Sequence, residues 1–270
     1  MSLITLTTDF GCKDPDIGRL KALILQQVPQ AYLLDITHNI MPFDFEEAIY
    51  ILQNSLLNFP KGSIHLIGIE SKTNSQNNPI IIEANKQYFI GNNNGILTGI
   101  VKDFDYKSYK LPNREHKEML EPHIKAVKLL SEGNIPHDFA VETSDLKEIK
   151  LVTPDIIYEG KNIKKIIPKV IYNDNYENAV FNLTKKDFET YRKGRKFEIV
   201  IGYESITEII EGYTDFKSDK ELLTDAGNLH ARFNDFGYLE IFIYQSNQIT
   251  GGAKSLFGLG KNRQIAINLF

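Results

Sequence analysis

The chain reads as a two-domain α/β protein, with a largely parallel sheet covered by helices first and a smaller antiparallel β domain after it. Three observations predict this. Over residues 4–69, β-branched or apolar runs alternate with stretches of helical period. Both of those helical stretches stop at a proline, Pro29 and Pro60. Beyond residue 168 the apolar runs become short and are separated by Gly, Asn and Asp.

The elements follow in order. Residues 4–8 form a β-branched strand that stops at the turn-forming Asp9-Phe10-Gly11. Residues 17–28 form a helix, 31–36 the next strand, and 45–59 a helix whose apolar positions Phe45, Ala48, Ile49, Leu52 and Leu56 keep nearly one face. Residues 63–69 complete a strand-helix-strand-helix-strand run, for which right-handed crossovers and a parallel sheet are expected. Ligands of such sheets bind beyond the carboxyl ends of the strands, where Asp9 and Glu70 fall. Residues 80–83 and 87–90 read as a hairpin leading into the loop 91–95, and 122–132 as a helix ended by Gly133. The lysine-rich, irregular stretch 151–168, punctuated by Pro154, Gly160 and Pro168, reads as the domain boundary, and the lysines of 161–169 as a solvated linker. Domains are therefore expected at 1–160 and 161–270, with strands near 169–172, 196–201, 238–244 and 264–269 in the second.

Composition narrows the partners. With 42% hydrophobic and 24% charged residues, 270 residues can bury a sizeable core. A net charge of -4, a pI near 5.9 and dispersed lysines argue against nucleic acid and anionic membranes. The first residues lack the pattern of a signal peptide and no run approaches a membrane span, so a cytoplasmic location is expected. The single cysteine, Cys12, allows no intramolecular disulfide and is expected to be a small buried or half-buried residue. His38 is expected to be a structural hydrogen-bonder at a strand-loop junction. His116 and His123, with Glu115, Glu118 and Glu121, match no metal-ligand spacing, and Pro122 breaks any common helical face, so no metal site is expected.

Four stretches carry a resemblance. Residues 7–21, from Thr7-Thr8-Asp9-Phe10-Gly11 to Lys21, match the pattern T-T-D-F-G-x-x-D-x-Y-V-G-x-x-K, with Asp16 at the tyrosine. Asp35-Ile36-Thr37-His38-Asn39-Ile40-Met41-Pro42 matches D-I-T-H-x-I-x-P, and Asp174 to Asn182 resembles D-x-F-G-N-x-x-T-N, weakened by Glu177 at the glycine and Phe181 at the threonine. Gly237-Tyr238-Leu239-Glu240-Ile241 matches G-Y-L-E-I. In this order, and over nearly the whole chain, they resemble the S-adenosyl-L-methionine (SAM) hydroxide adenosyltransferase family, whose relatives include the fluorinases and chlorinases. The resemblance implies a Rossmann-like N-terminal domain, a C-terminal antiparallel β-barrel, and a homotrimer that binds SAM between neighbouring subunits. It also implies SAM as substrate or ligand, with no further cofactor, and attack of water or halide on the ribose C5′.

The sulfonium leaves without acid help, so the difficulty is the nucleophile. Water is too weak an acid to give hydroxide unaided at neutral pH and needs a positioned base or a cationic neighbour in a site cleared of bulk solvent. The family's Asp, Arg and His positions align with Glu70, with Asn77 and with Glu115, one residue from His116. Glu70 can still take a proton, and His116 can assist, but Asn77 does not replace a permanent cation. For the ligand, Asp9 is expected on the ribose hydroxyls, helped by Phe10 at the same strand end and by Asp14 or Asp16, with Asn94 of the altered Asn92-Asn93-Asn94-Gly95 loop nearby. Asp174 suits the methionine ammonium, Tyr176 the adenine face and Asn178 the adenine edge. Asn234 and Asp235 fall where relatives hold the methionine end, and the charge of Asp235 makes adenosine a rival ligand. Hydrolysis of SAM to adenosine and L-methionine is the leading expectation. A catalytically impaired SAM- or adenosine-binding pseudoenzyme, a sensor or scaffold, is the alternative.

Overall fold

A computed structural model describes residues 2–70, 78–112, 120–212 and 227–270. The chain divides into two compact units, Met1–Leu151 and Val152–Phe270. The first contains β1 (Leu3–Thr8), α1 (Asp16–Gln27), β2 (Tyr32–Thr37), α2 (Phe45–Leu56), β3 (Ile64–Gly68), β4 (Pro79–Ala84), β5 (Gln87–Asn92), α3 (Ile96–Val101), β6 (Tyr106–Lys110), α4 (Glu121–Ser131) and β7 (Val141–Glu142). Its seven-stranded sheet has the order β2-β1-β3-β5-β4-β6-β7. The pairs β1–β2, β1–β3 and β3–β5 are parallel, and the hairpin β4–β5 with β6 and β7 extends the sheet in antiparallel fashion.

Period-2 alternation splits the strands between two cores. Ile4, Leu6, Ile64, Leu66, Ile81 and Ile90 face α1 and α4, which contribute Leu20, Ile24, Ile124 and Val127. Ile67, Ile80, Ile82 and Phe89 face α2 and α3, with Ala48, Ile49, Leu52, Leu97 and Ile100. Helix α2 begins where Asp44 accepts a hydrogen bond from the Glu47 amide at 3.0 Å, an N-cap worth about 1 kcal/mol. Because β2 and β3 flank β1 on opposite sides, the strand order reverses there, the switch point at which such sheets leave a crevice between the carboxyl ends of neighbouring strands, here β1 and β3.

The second unit holds β8 (Asp155–Glu159), β9 (Asn162–Ile167), β10 (Val170–Asn173), β11 (Ala179–Thr184), α5 (Lys185–Arg192), β12 (Phe197–Ile201), β13 (Glu204–Ile206), β14 (Leu229–Phe233), β15 (Tyr238–Ile243), α6 (Ala253–Phe257) and β16 (Ala266–Leu269). Its described strands form two antiparallel sheets, β10-β11-β15-β14 and β13-β12-β16-β9-β8. They share a core that includes Ile166, Phe181, Phe188, Ile199, Ile241 and Ile267.

Two expectations need correction. The lysine-rich stretch is a β-hairpin rather than an irregular linker: β8 and β9 pair across Gly160, Ile166 is fully buried, and Lys164 stays outside with Glu159 at 2.8 Å. A boundary at 160 would cut that hairpin, and the units instead part between Leu151 and Val152. Cys12 is exposed, not buried, because it lies in the turn beyond β1, with its thiol 3.5 Å from Asn39 Oδ1.

His65, at the centre of β3, is fully buried between the rings of Phe59 and Phe89, and its Nδ1 lies 2.8 Å from Thr5 Oγ1. Burial lowers its pKa to about 4, against a smaller opposing effect of Gln87. The unfolded chain takes up this proton near 6.5 and the folded chain only near 4, so the unfolded state binds more protons in between. Stability is therefore expected to fall by about 3 kcal/mol as pH drops across that window. Denaturant melts at pH 7 and pH 4, with NMR titration of the His65 ring, check this; a ring that protonates near 6.5 in the folded protein contradicts it.

Candidate active site

At the end of β1, Asp9 is half-buried, and its Oδ2 accepts a hydrogen bond from the Glu70 amide at 3.0 Å. This bond spans the crevice between β1 and β3. Glu70 has φ +56°, a left-handed conformation uncommon for a side chain larger than glycine, and the Asp9 carboxylate anchors it. Next along the sheet, Asn94 Nδ2 donates to the Ile69 carbonyl at 3.4 Å while its Oδ1 accepts from the Ile96 amide at 3.2 Å. Gly95 follows at φ +96°, where a β-carbon would lie 2.5 Å from Ile149 Cγ1, so glycine is required. Behind this loop, His123 Nε2 lies 3.1 Å from Asn92 Oδ1. The ends of β1, β3 and β5 thus form one polar rim carrying Asp9, Glu70 and Asn94. A carboxylate offers about four acceptor positions, so Asp9 keeps capacity for two hydroxyls beyond the Glu70 amide.

The rim is braced from β2. Thr8 Oγ1 lies 2.9 Å from His38 Nδ1 and accepts from the Phe10 amide at 3.3 Å, while Gly11 donates to the His38 carbonyl at 2.8 Å. His38, 5% exposed, is the structural hydrogen-bonder expected, and its Nε2 lies 3.2 Å from Asp35 Oδ1. Burial pushes the Asp35 carboxyl up, but Lys21 at 2.5 Å and His38 together outweigh it and leave it below the usual value. Phe10 belongs to the core, not the rim: its ring is 7% exposed in the cluster beneath α1 and α4. Asp14 is exposed in the turn before α1, and Asp16 is the first residue of that helix, where an acidic side chain suits the helix dipole. Asn77 and His116 lie outside the described residues.

In the second unit the turn 174–178 is organised by Asp174. Its Oδ1 accepts from the Tyr176 and Asn178 amides, both at 2.9 Å, and its Oδ2 from Asn178 Nδ2 at 2.9 Å. Tyr176 stands 64% exposed, an accessible aromatic face. Asn178 is buried, and its Oδ1 has no hydrogen-bond partner. In the turn between β14 and β15, Asn234 Oδ1 accepts from the Phe236 and Tyr238 amides at 3.1 Å each, whereas Asp235 is exposed.

One pair was not singled out from the sequence. Arg232 Nε donates to Glu240 Oε1 at 2.7 Å, and Asn234 Nδ2 reaches Glu240 Oε2 at 3.4 Å. The signal was present, since Arg232 and Glu240 sit at facing positions of the β14–β15 hairpin. Burial pushes the Glu240 carboxyl up; Arg232 opposes this and the Asp174 charge adds to it, so the two turns share one electrostatic neighbourhood. Removing one member of a buried ion pair strands the other. Arg232→Ala is expected to destabilise the protein by about 3 kcal/mol at neutral pH, less in acid as Glu240 takes up a proton. Urea melts at pH 7 and pH 5 check it; an equal loss at both would rule out the stranded charge. A cavity of about 280 Å³ between the β12–β13 turn and residues 256–265 is lined by Tyr203, Glu204, Leu256 and Arg263, none of them among the expected ligand residues.

Comparison with known proteins places the chain among relatives. Residues 4–130 match the model of the SAM hydroxide adenosyltransferase N-terminal domain, and residues 168–266 that of its C-terminal domain. An (R)-S-adenosyl-L-methionine hydrolase from Methanocaldococcus jannaschii is 26% identical over 254 residues, covering 92% of this chain and 90% of the relative. A fluorinase from Nocardia brasiliensis is 26% identical over 138 residues, 42% of this chain and 46% of the fluorinase. An uncharacterized conserved protein from Thermotoga maritima superposes with a TM-score of 0.79 at 20% identity, over 98% of this chain and 99% of its own. In the described residues, no helix is long and apolar enough to cross a membrane. With both domain models matched in order across most of its length, the chain belongs to the SAM hydroxide adenosyltransferase family.

Proposed function

We propose that the protein hydrolyses SAM to adenosine and L-methionine. The observation that carries this reading is the Asp9 carboxylate seated on the Glu70 amide at the mouth of the β1–β3 crevice. In this reading Asp9 accepts both ribose hydroxyls and so fixes the position of C5′. The Glu70 carboxyl orients a water in line with the C5′–sulfur bond and takes its proton as the oxygen–carbon bond forms. The carbon–sulfur bond breaks with its electron pair passing to the sulfonium sulfur, so methionine leaves neutral at sulfur and needs no acid.

The second-unit turns close the ligand's other end, Tyr176 and Asn178 on adenine and Asp174 with Asn234 and Asp235 around the methionine. The two halves meet between neighbouring subunits of a homotrimer in the cytoplasm, the antiparallel sheets forming the barrel that the family resemblance implies. A halide nucleophile fits less well, because the carboxylate of Glu70 repels an anion.

Incubation with SAM at neutral pH, followed by chromatography, tests the reading. Adenosine and methionine in equal amounts are expected. No adenosine above a protein-free blank would overturn the hydrolase assignment, and calorimetric binding of SAM or adenosine without turnover would leave the pseudoenzyme alternative.

A further inference from the structure

Glu177 occupies a backbone conformation that glycine adopts freely and other residues rarely, with φ +62°. Its contacts show what holds it there. Glu177 Oε2 accepts hydrogen bonds from the Gly252 amide at 2.9 Å and from the Ser255 hydroxyl. The Glu177 carbonyl accepts from the Lys254 amide at 2.9 Å, and Ser255 lowers the Glu177 carboxyl below its usual value, against a smaller effect of burial. Next to it, Ser246 Oγ donates to the Tyr176 carbonyl at 2.7 Å. The approach is close: a β-carbon on Gly252 would lie 2.7 Å from both Glu177 Cβ and the Tyr176 carbonyl oxygen. The turn 174–178 is therefore fastened to residues 246–255 at several points, and the Glu177 side chain supplies two of them.

We propose that Glu177 is a positioning residue, which clamps the 174–178 turn to the start of α6 and so holds Tyr176 and Asn178 in the arrangement that receives an adenosyl ligand. The ligand role rests on the function proposed above; the clamp itself does not. The side chain exchanges a relaxed backbone for an ordered binding turn.

Glu177→Gly separates the two. Glycine suits the left-handed backbone, so thermal stability is expected to stay within about 3 °C of the parent. Without the carboxylate, amide exchange across residues 252–256 is expected to rise about tenfold, and the affinities for adenosine and SAM, measured by calorimetry, to fall about tenfold. Glu177→Gln, which keeps an acceptor oxygen, is expected to restore most of both. Unchanged exchange in Glu177→Gly overturns the clamp. Faster exchange with undiminished affinity overturns the positioning role. If the parent protein binds neither adenosine nor SAM, the functional reading fails, while the exchange result still decides the clamp.

Discussion

Replacing Asp9 with alanine is expected to weaken binding of both SAM and adenosine by about 10²–10⁴-fold, because two hydrogen bonds from ribose hydroxyls to a charged acceptor are lost together. Part of any such loss could come from release of the Glu70 amide, which Asp9 also holds. Asp9→Asn keeps an acceptor oxygen for that amide but removes the charge, so it isolates the ligand contribution. An intermediate loss of affinity is expected there, with little change in stability. Isothermal titration with each ligand checks the series, and two variants that bind as tightly as the parent would remove Asp9 from the site.

Glu70→Gln is expected to lower kcat by about 10²–10⁴-fold while the affinity for adenosine stays close to that of the parent. The reason is geometric. Asp9 anchors Glu70 through its backbone amide, so an isosteric amide side chain keeps that bond and removes the basic oxygen. Single-turnover assays with SAM, beside adenosine titrations, separate the two effects. A loss confined to affinity would assign Glu70 to ligand binding and leave the water without this base.

The parts of this site that could be read from residues alone are those fixed by strand ends. Alternation and Pro29 and Pro60 placed β1, β2, β3 and their two helices, and hence Asp9 and Glu70 at neighbouring carboxyl ends. The left-handed backbone of Glu70 could not be read, because it follows from a hydrogen bond between residues 61 positions apart. Likewise, the substitution of Glu177 for glycine looked like a weakened motif. In three dimensions the same side chain bonds residues 75 and 78 positions away.

Short or lysine-bearing elements were also hidden. Helix α3 has only 6 residues, all buried, so it shows no amphipathic period. Strand β9 carries Lys164 and Lys165 beside Ile163 and Ile166, and its charge masked the alternation that buries Ile166. Phe10 was misplaced for a related reason. Its position in the motif suggested a ligand contact, yet the turn after β1 directs its ring into the core.

A crystal structure of the protein with adenosine bound tests the central claim most directly. Both ribose hydroxyls are expected within hydrogen-bonding distance of the Asp9 carboxylate, with the Glu70 carboxyl facing C5′. Adenosine held elsewhere, or bound with its ribose turned away from Asp9, would contradict it.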